Sequence, residues 1–112
     1  MEQVFSVVDD ARDGVTVVAV SGEVDVATAP ALRERLNQVI ERDQGPVVVD
    51  LLQVSFIDST GLGVLVGALK RCREADRDLR VVVAEPRIQK VFDITGLTAL
   101  FSLHDTVAAA TA

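Results

Sequence analysis

The chain has 112 residues, 49% of them hydrophobic, and a net charge of −6. That length and composition suit one folded domain with a buried core, so residues 1–112 read as a single unit. The acidic balance repels phosphate backbones and anionic bilayers, so neither nucleic acid nor a membrane is an expected partner.

The first residues, MEQVFSVVDDARDG, lack the basic-then-apolar pattern of an export signal, and the cytoplasm is the expected compartment. Val4 to Val8 reads as a first strand, and Asp9 to Gly14 as a polar turn. Val15 to Val20 is a second strand, and with no room for a helix between them the pair reads as an antiparallel hairpin. Thr28 before Ala29-Pro30-Ala31 is an N-cap signal with proline in the first turn. Leu32, Leu36, Val39 and Ile40 then mark one face of a helix running to about Arg42, stopped by Gln44-Gly45-Pro46.

Val47 to Leu51 is apolar at nearly every position, as in a strand covered on both faces. Leu62, Leu65, Val66 and Leu69 mark a second amphipathic helix ending near Ala75, with Cys72 on its apolar face as a buried residue. A charged turn, Arg71 to Arg80, leads to a strand at Val81 to Val83. Glu85-Pro86 opens a third helix with Ile88, Val91 and Phe92 inward and Gly96 at its end. Leu100 to Leu103 suits a short edge strand, and Asp105 or Thr106 suits the cap of a helix through Ala110. The order predicts an α/β fold: a mixed sheet of four to five strands with an antiparallel N-terminal hairpin, flanked by three to four helices. Loops at the strand C-terminal ends then bring Asp25, Asp58 with Ser59, and Glu85 to one rim.

The stretch between the third strand and the second helix, Asp58-Ser59-Thr60-Gly61-Leu62-Gly63, carries the chemistry. Asp58 or Ser59 suits an N-cap. A cap does not account for Gly61, Gly63 and Gly67, each of which costs about 1 kcal/mol against alanine inside a helix. Gly67 is expected to pack on the sheet, and Gly61 and Gly63 to leave the backbone open to a partner. The same free N–H groups also welcome a phosphate. A dinucleotide fingerprint fails at Val66, where the third small residue should stand. A phospho-accepting receiver domain would alternate strand and helix from its start and carry a Lys-Pro pair after the fourth strand, and here Ala84-Glu85-Pro86 follows instead. Enzymatic use of Ser59 would need His104, the single histidine, and Ser59 lacks the glycine of a nucleophile elbow. One histidine and one cysteine leave almost nothing for a His/Cys metal site.

Three blocks, Gly22-Glu23-Val24-Asp25, Phe56 to Gly63 and Phe92 to Leu97, resemble the STAS-domain anti-sigma factor antagonists. The likeness spans nearly the whole chain and is greatest to actinobacterial members, which share the DSTGLGVLVG run and a segment like Thr95 to Thr98. It implies a STAS fold and a partner-switching cycle. The unphosphorylated antagonist binds an anti-sigma factor that is also a serine kinase, and a sigma factor is released. The kinase phosphorylates the serine after the motif's aspartate, here Ser59, with Thr60 the lesser candidate, and a PP2C-type phosphatase reverses the step. The implied partner-binding residues are Glu23, Asp25, Asp58, Ser59, Thr60, Gly61, Leu62 and Gly63. No catalysis and no cofactor are implied. A STAS scaffold, or a module binding a small ligand such as a nucleotide, is the alternative on the same fold.

Overall fold

The computed structural model describes residues 4–112. Met1 to Gln3, the start of the stretch read as lacking an export signal, lie outside the described residues. Five strands form one sheet in chain order: β1 (Ser6–Arg12), β2 (Val15–Val24), β3 (Val47–Ile57), β4 (Leu79–Val82) and β5 (Ser102–His104). The β1–β2 pair is antiparallel and the other three pairs are parallel. The helices are α1 (Ala29–Arg42), α2 (Ser59–Glu74), α3 (Pro86–Ile94) and α4 (Val107–Thr111), with a 3-10 turn at Leu97–Ala99.

Alternation along the strands sorts the core. Val18, Val20, Val47, Val49, Leu51 and Val81 point to one face, where α1, α2 and α3 bury Leu32, Leu36, Leu65, Ile88 and Phe92. Val17, Val48 and Val82 point to the other, covered by Ala110 and Val107 of α4. Covering on both faces is why Val47 to Val49 is an unbroken apolar run. Cys72 is fully buried in this core, and burial pushes its thiol pKa up, away from the reactive thiolate.

Strand boundaries differ from the sequence reading in four places, one of them β5, expected at Leu100 to Leu103 and found at Ser102–His104. The expected turn Asp9 to Gly14 contracts to Asp13-Gly14, and β1 begins later and runs through Asp9 and Asp10 to Arg12. Both turn residues have positive φ, 52° and 79°, as a tight two-residue hairpin loop demands. Polar residues enter β1 because it is an edge strand: Asp9 reaches α1, where Arg35 and Arg42 lie 2.8 and 2.7 Å away. The change at β2 and β3 matters most for function. β2 and β3 do not stop at Val20 and Leu51 but stay paired to Glu23↔Phe56 and Val24↔Ile57, past two register shifts. Gly22 makes this possible, since its φ of 92° and its approach to the Phe5 backbone exclude a side chain; a Cβ there would lie 2.8 Å from Phe5 Cα. The remaining change is at β4, which begins two residues early and ends at Val82.

Candidate functional site

The prolonged β2–β3 ribbon carries two loops beyond the rest of the sheet. Val82, the last paired residue of β4, stands opposite Asp50, seven residues short of the end of β3. The expected three-loop rim is therefore a two-loop rim. Glu85 stays with its own helix, where its carboxylate accepts from the N–H groups of Arg87 and Ile88 at 2.8 and 3.2 Å.

The two remaining loops are joined by backbone. The Asp58 N–H donates to the Val24 carbonyl at 3.2 Å. Asp58 is the N-cap of α2, its Oδ1 accepting from Gly61 N–H at 3.0 Å. Between the two residues that suit a cap by sequence, aspartate takes the role. Ser59 is thereby left at the first helical position, exposed, with no hydrogen bond to its hydroxyl among the described residues. The N–H groups of Ser59 and Thr60 belong to the first turn, where no intrahelical acceptor exists, and they lend the site a partial positive charge. Thr60 is half-buried.

Two of the three glycines, Gly61 and Gly67, depart from the roles expected of them. Gly61 is buried, and a Cβ on it would stand 2.7 Å from Val24 Cγ1 and 2.9 Å from Ile57 Cγ1. It is the contact that seats α2 on the ribbon, so its value lies in packing and not in openness to a partner. Gly67 meets only the end of the Arg71 side chain and does not pack on the sheet. Gly63 is exposed, and a Cβ added to it would have nothing within 4 Å, as expected of an open backbone. Leu62, expected as a contact, is a core residue at 5% exposure, because helical spacing turns it toward Leu65 and Leu69.

The loop between β2 and α1 is built around Asp25. Its Oδ1 accepts from the N–H groups of Ala27 and Thr28 at 2.9 and 3.1 Å. Thr28 does precede α1, yet its side chain makes no capping bond to that helix. Its hydroxyl instead donates to the Glu23 carbonyl at 2.8 Å and accepts from Asp25 N–H at 2.9 Å. Glu23 itself is exposed opposite Phe56. Two exposed apolar residues, Val26 at 73% and Phe56 at 45%, flank this rim, and sequence reasoning does not single them out as contacts. Their only sequence signal is a large apolar residue in a segment that reads as loop.

The structure does not bring His104 to Ser59. The histidine sits on β5, its Nε2 2.9 Å from Ser102 Oγ on the same strand. Lys70 is eleven residues along α2, about 16 Å up the helix. Among the described residues no helix is long and apolar enough to cross a membrane, and no cluster of His, Cys, Asp or Glu is arranged to hold a metal ion. The rim therefore presents an accessible hydroxyl on a helix N-terminus, bordered by carboxylates and apolar side chains.

Known proteins resemble this chain in sequence and in fold. The model of the STAS domain family matches residues 6–110. The anti-sigma-B factor antagonist of Staphylococcus epidermidis is 42% identical over 88 residues, 79% of this chain and 82% of that one. The crystal structure of an anti-sigma factor antagonist from Mycobacterium paratuberculosis superposes with a TM-score of 0.85 at 31% identity, covering 96% of this chain and 92% of the other. The Bacillus cell fate determinant SpoIIAA, in its phosphorylated form, shares the fold with a TM-score of 0.70 at 21% identity, covering 96% of both chains. The chain belongs to the STAS domain family, among its anti-sigma factor antagonists.

Proposed function

We propose that this protein is the phosphorylatable partner in a switch. Unphosphorylated, it binds an anti-sigma factor that is also a serine kinase, and a sigma factor is freed. The kinase then moves the γ-phosphoryl group of ATP to Ser59 Oγ; ADP leaves, the hydroxyl proton is released, and binding ends. A PP2C-type phosphatase hydrolyses the phosphoserine and restores the binding form. The protein is a substrate in this cycle and not its catalyst, since neither His104 nor Lys70 stands within reach of Ser59 as a base.

The observation that carries the reading is the division of labour at the start of α2. Asp58 caps the helix, so Ser59 is spared that duty and its hydroxyl points to solvent unbonded. Phosphorylating it removes no intramolecular bond. The added charge, about −1.5 to −2, falls on a helix N-terminus that favours anions. The phosphorylated SpoIIAA of Bacillus keeps the same fold, which supports a switch that changes surface charge and leaves the fold in place. The phosphate acts at the interface, through its bulk and through repulsion from carboxylates on either side.

Ser59→Ala and Ser59→Glu test this by titration calorimetry against the anti-sigma factor. The alanine variant binds as tightly as wild type and ATP no longer releases it. The glutamate variant binds at least about a hundredfold more weakly. If both bind like wild type, the switch is not at Ser59. Mass spectrometry after incubation with kinase and ATP locates the phosphate directly.

A further inference from the structure

We propose that Asp25 and Thr28 are positioning residues, which lock the loop from Asp25 to Thr28 so that Val26 stands on the docking rim as a contact of the anti-sigma factor; this rests on the switch reading above. The family likeness makes Asp25 a charged contact. Its surroundings assign it different work. Oδ1 already holds two backbone N–H groups, those of Ala27 and Thr28. The Thr28 hydroxyl closes the other side of the same turn, bonded to the Glu23 carbonyl and to Asp25 N–H. Ala29 N–H returns to the Asp25 carbonyl at 2.8 Å.

With a longer 3.3 Å contact from the Thr28 hydroxyl to Asp25 Oδ1, six hydrogen bonds thus fall within seven residues, and none of the six is spent on capping α1 through the Thr28 side chain. This loop grows from Val24, whose carbonyl holds Asp58 N–H and whose side chain Gly61 abuts. The lock is therefore referenced to the residues that place Ser59. What it displays is Val26, 73% exposed although apolar, on a segment too tightly bonded to fold the side chain away. Holding an apolar side chain out in water gains nothing for the free protein, and a preformed contact lowers the ordering cost of association.

Two measurements test the lock and its use separately. Amide hydrogen exchange by NMR reads the lock in the protein alone. Ala27 and Thr28 N–H are protected in wild type; the protection falls about tenfold in Asp25→Ala and survives in Asp25→Asn, whose amide oxygen accepts the same two bonds. Phosphorylation of Ser59, by the serine kinase that modifies the wild-type protein, reads the use. Asp25→Ala and Thr28→Val raise KM about tenfold with kcat unchanged, while Asp25→Asn and Thr28→Ser stay within about threefold of wild type. Val26→Ser raises KM by a similar factor with amide protection intact. If Asp25→Asn is as impaired as Asp25→Ala and Thr28→Val is not impaired, Asp25 is a charge contact and the proposal is overturned. Unprotected Ala27 and Thr28 amides in wild type overturn it as well. If no kinase modifies wild-type Ser59, the switch reading fails, and the exchange data still judge the lock.

Discussion

The two ends of the sheet use charged groups in opposite ways. At the rim, two carboxylates serve their own turns: Asp58 bonds Gly61 N–H and Asp25 bonds Ala27 and Thr28 N–H. At the far end most of the bonds join separate elements. Asp9 of β1 holds Arg35 and Arg42 of α1, Arg42 also grips Asp43, and Thr16 of β2 donates to Asp43 at 2.9 Å. Arg77, after α2, donates to the carbonyls of Val39, Ile40 and Gly45 at 2.7 to 3.0 Å, closing the C-terminal end of α1. The far end is stapled across the fold, whereas the rim satisfies itself locally and leaves its outer surface uncommitted. Counting acidic residues would not separate the two ends; asking where each carboxylate finds its partner does.

The sharpest way to break this contrast is a double dissociation. Ser59→Glu is expected to cost about 3 kcal/mol or more in binding to the anti-sigma factor, with urea unfolding unchanged within about 0.5 kcal/mol. Arg77→Ala is expected to do the reverse. It strands helix-terminal carbonyls and lowers unfolding stability by about 2–3 kcal/mol, while affinity measured well below the unfolding midpoint is unchanged. If Arg77→Ala weakens binding as much as Ser59→Glu does, the two ends are not independent.

Gly61→Ala probes the one place where the rim depends on tertiary packing. The new methyl meets Val24 and Ile57, two buried β-branched side chains with little freedom to turn. Overpacking of this kind costs about 1–3 kcal/mol, and the helical preference of alanine returns up to about 1 kcal/mol of it. A net loss of about 1–2 kcal/mol in chemical unfolding is expected. An alanine variant as stable as wild type would mean that α2 is not seated by this contact.

Much of this is legible in the sequence, for reasons specific to each element. Apolar periodicity predicts all three long helices within a few residues, since each buries a single stripe on one sheet face. Gly96, at φ 77°, closes α3 as a left-handed residue should. What escapes is long-range. The polar residues Gln53 and Ser55 in β3 hide its extension, because two register shifts break the alternation that betrays a strand. The exchange of roles between Gly61 and Gly67 depends on which helix turn crosses Val24, which no local pattern encodes. The choice between Asp58 and Ser59 as cap turns on a one-residue difference in where α2 begins.

Acid titration sets the far end against the rim. Paired with Arg42 and bonded by the Thr16 hydroxyl, Asp43 has its pKa lowered from 3.8 to about 2, and Asp9 is lowered too, chiefly by Arg42. A carboxylate depressed on folding contributes stability that is complete above its unfolded pKa and fades as pH falls toward the folded one. Stability attributable to this network should therefore be lost between about pH 4 and pH 2. Asp43→Asn should flatten that part of the urea midpoint against pH curve. An Asp43→Asn curve parallel to wild type through this window would show that the network does not stabilise the far end.

The smallest expected effect on stability isolates the rim's openness. Gly63 is exposed on α2, one turn beyond Ser59, and a methyl there meets nothing within 4 Å. In the free protein Gly63→Ala should be neutral or stabilising by up to about 1 kcal/mol, since glycine is the poorer helix former. A partner that lies close to the helix backbone would meet that methyl, so affinity for the anti-sigma factor should fall while the unfolding midpoint holds or rises. Stability and affinity moving in opposite directions cannot arise from damage to the fold. If both rise or stay level together, the glycine is not there for the partner, and the docking surface lies on the Val26 and Phe56 side of Ser59.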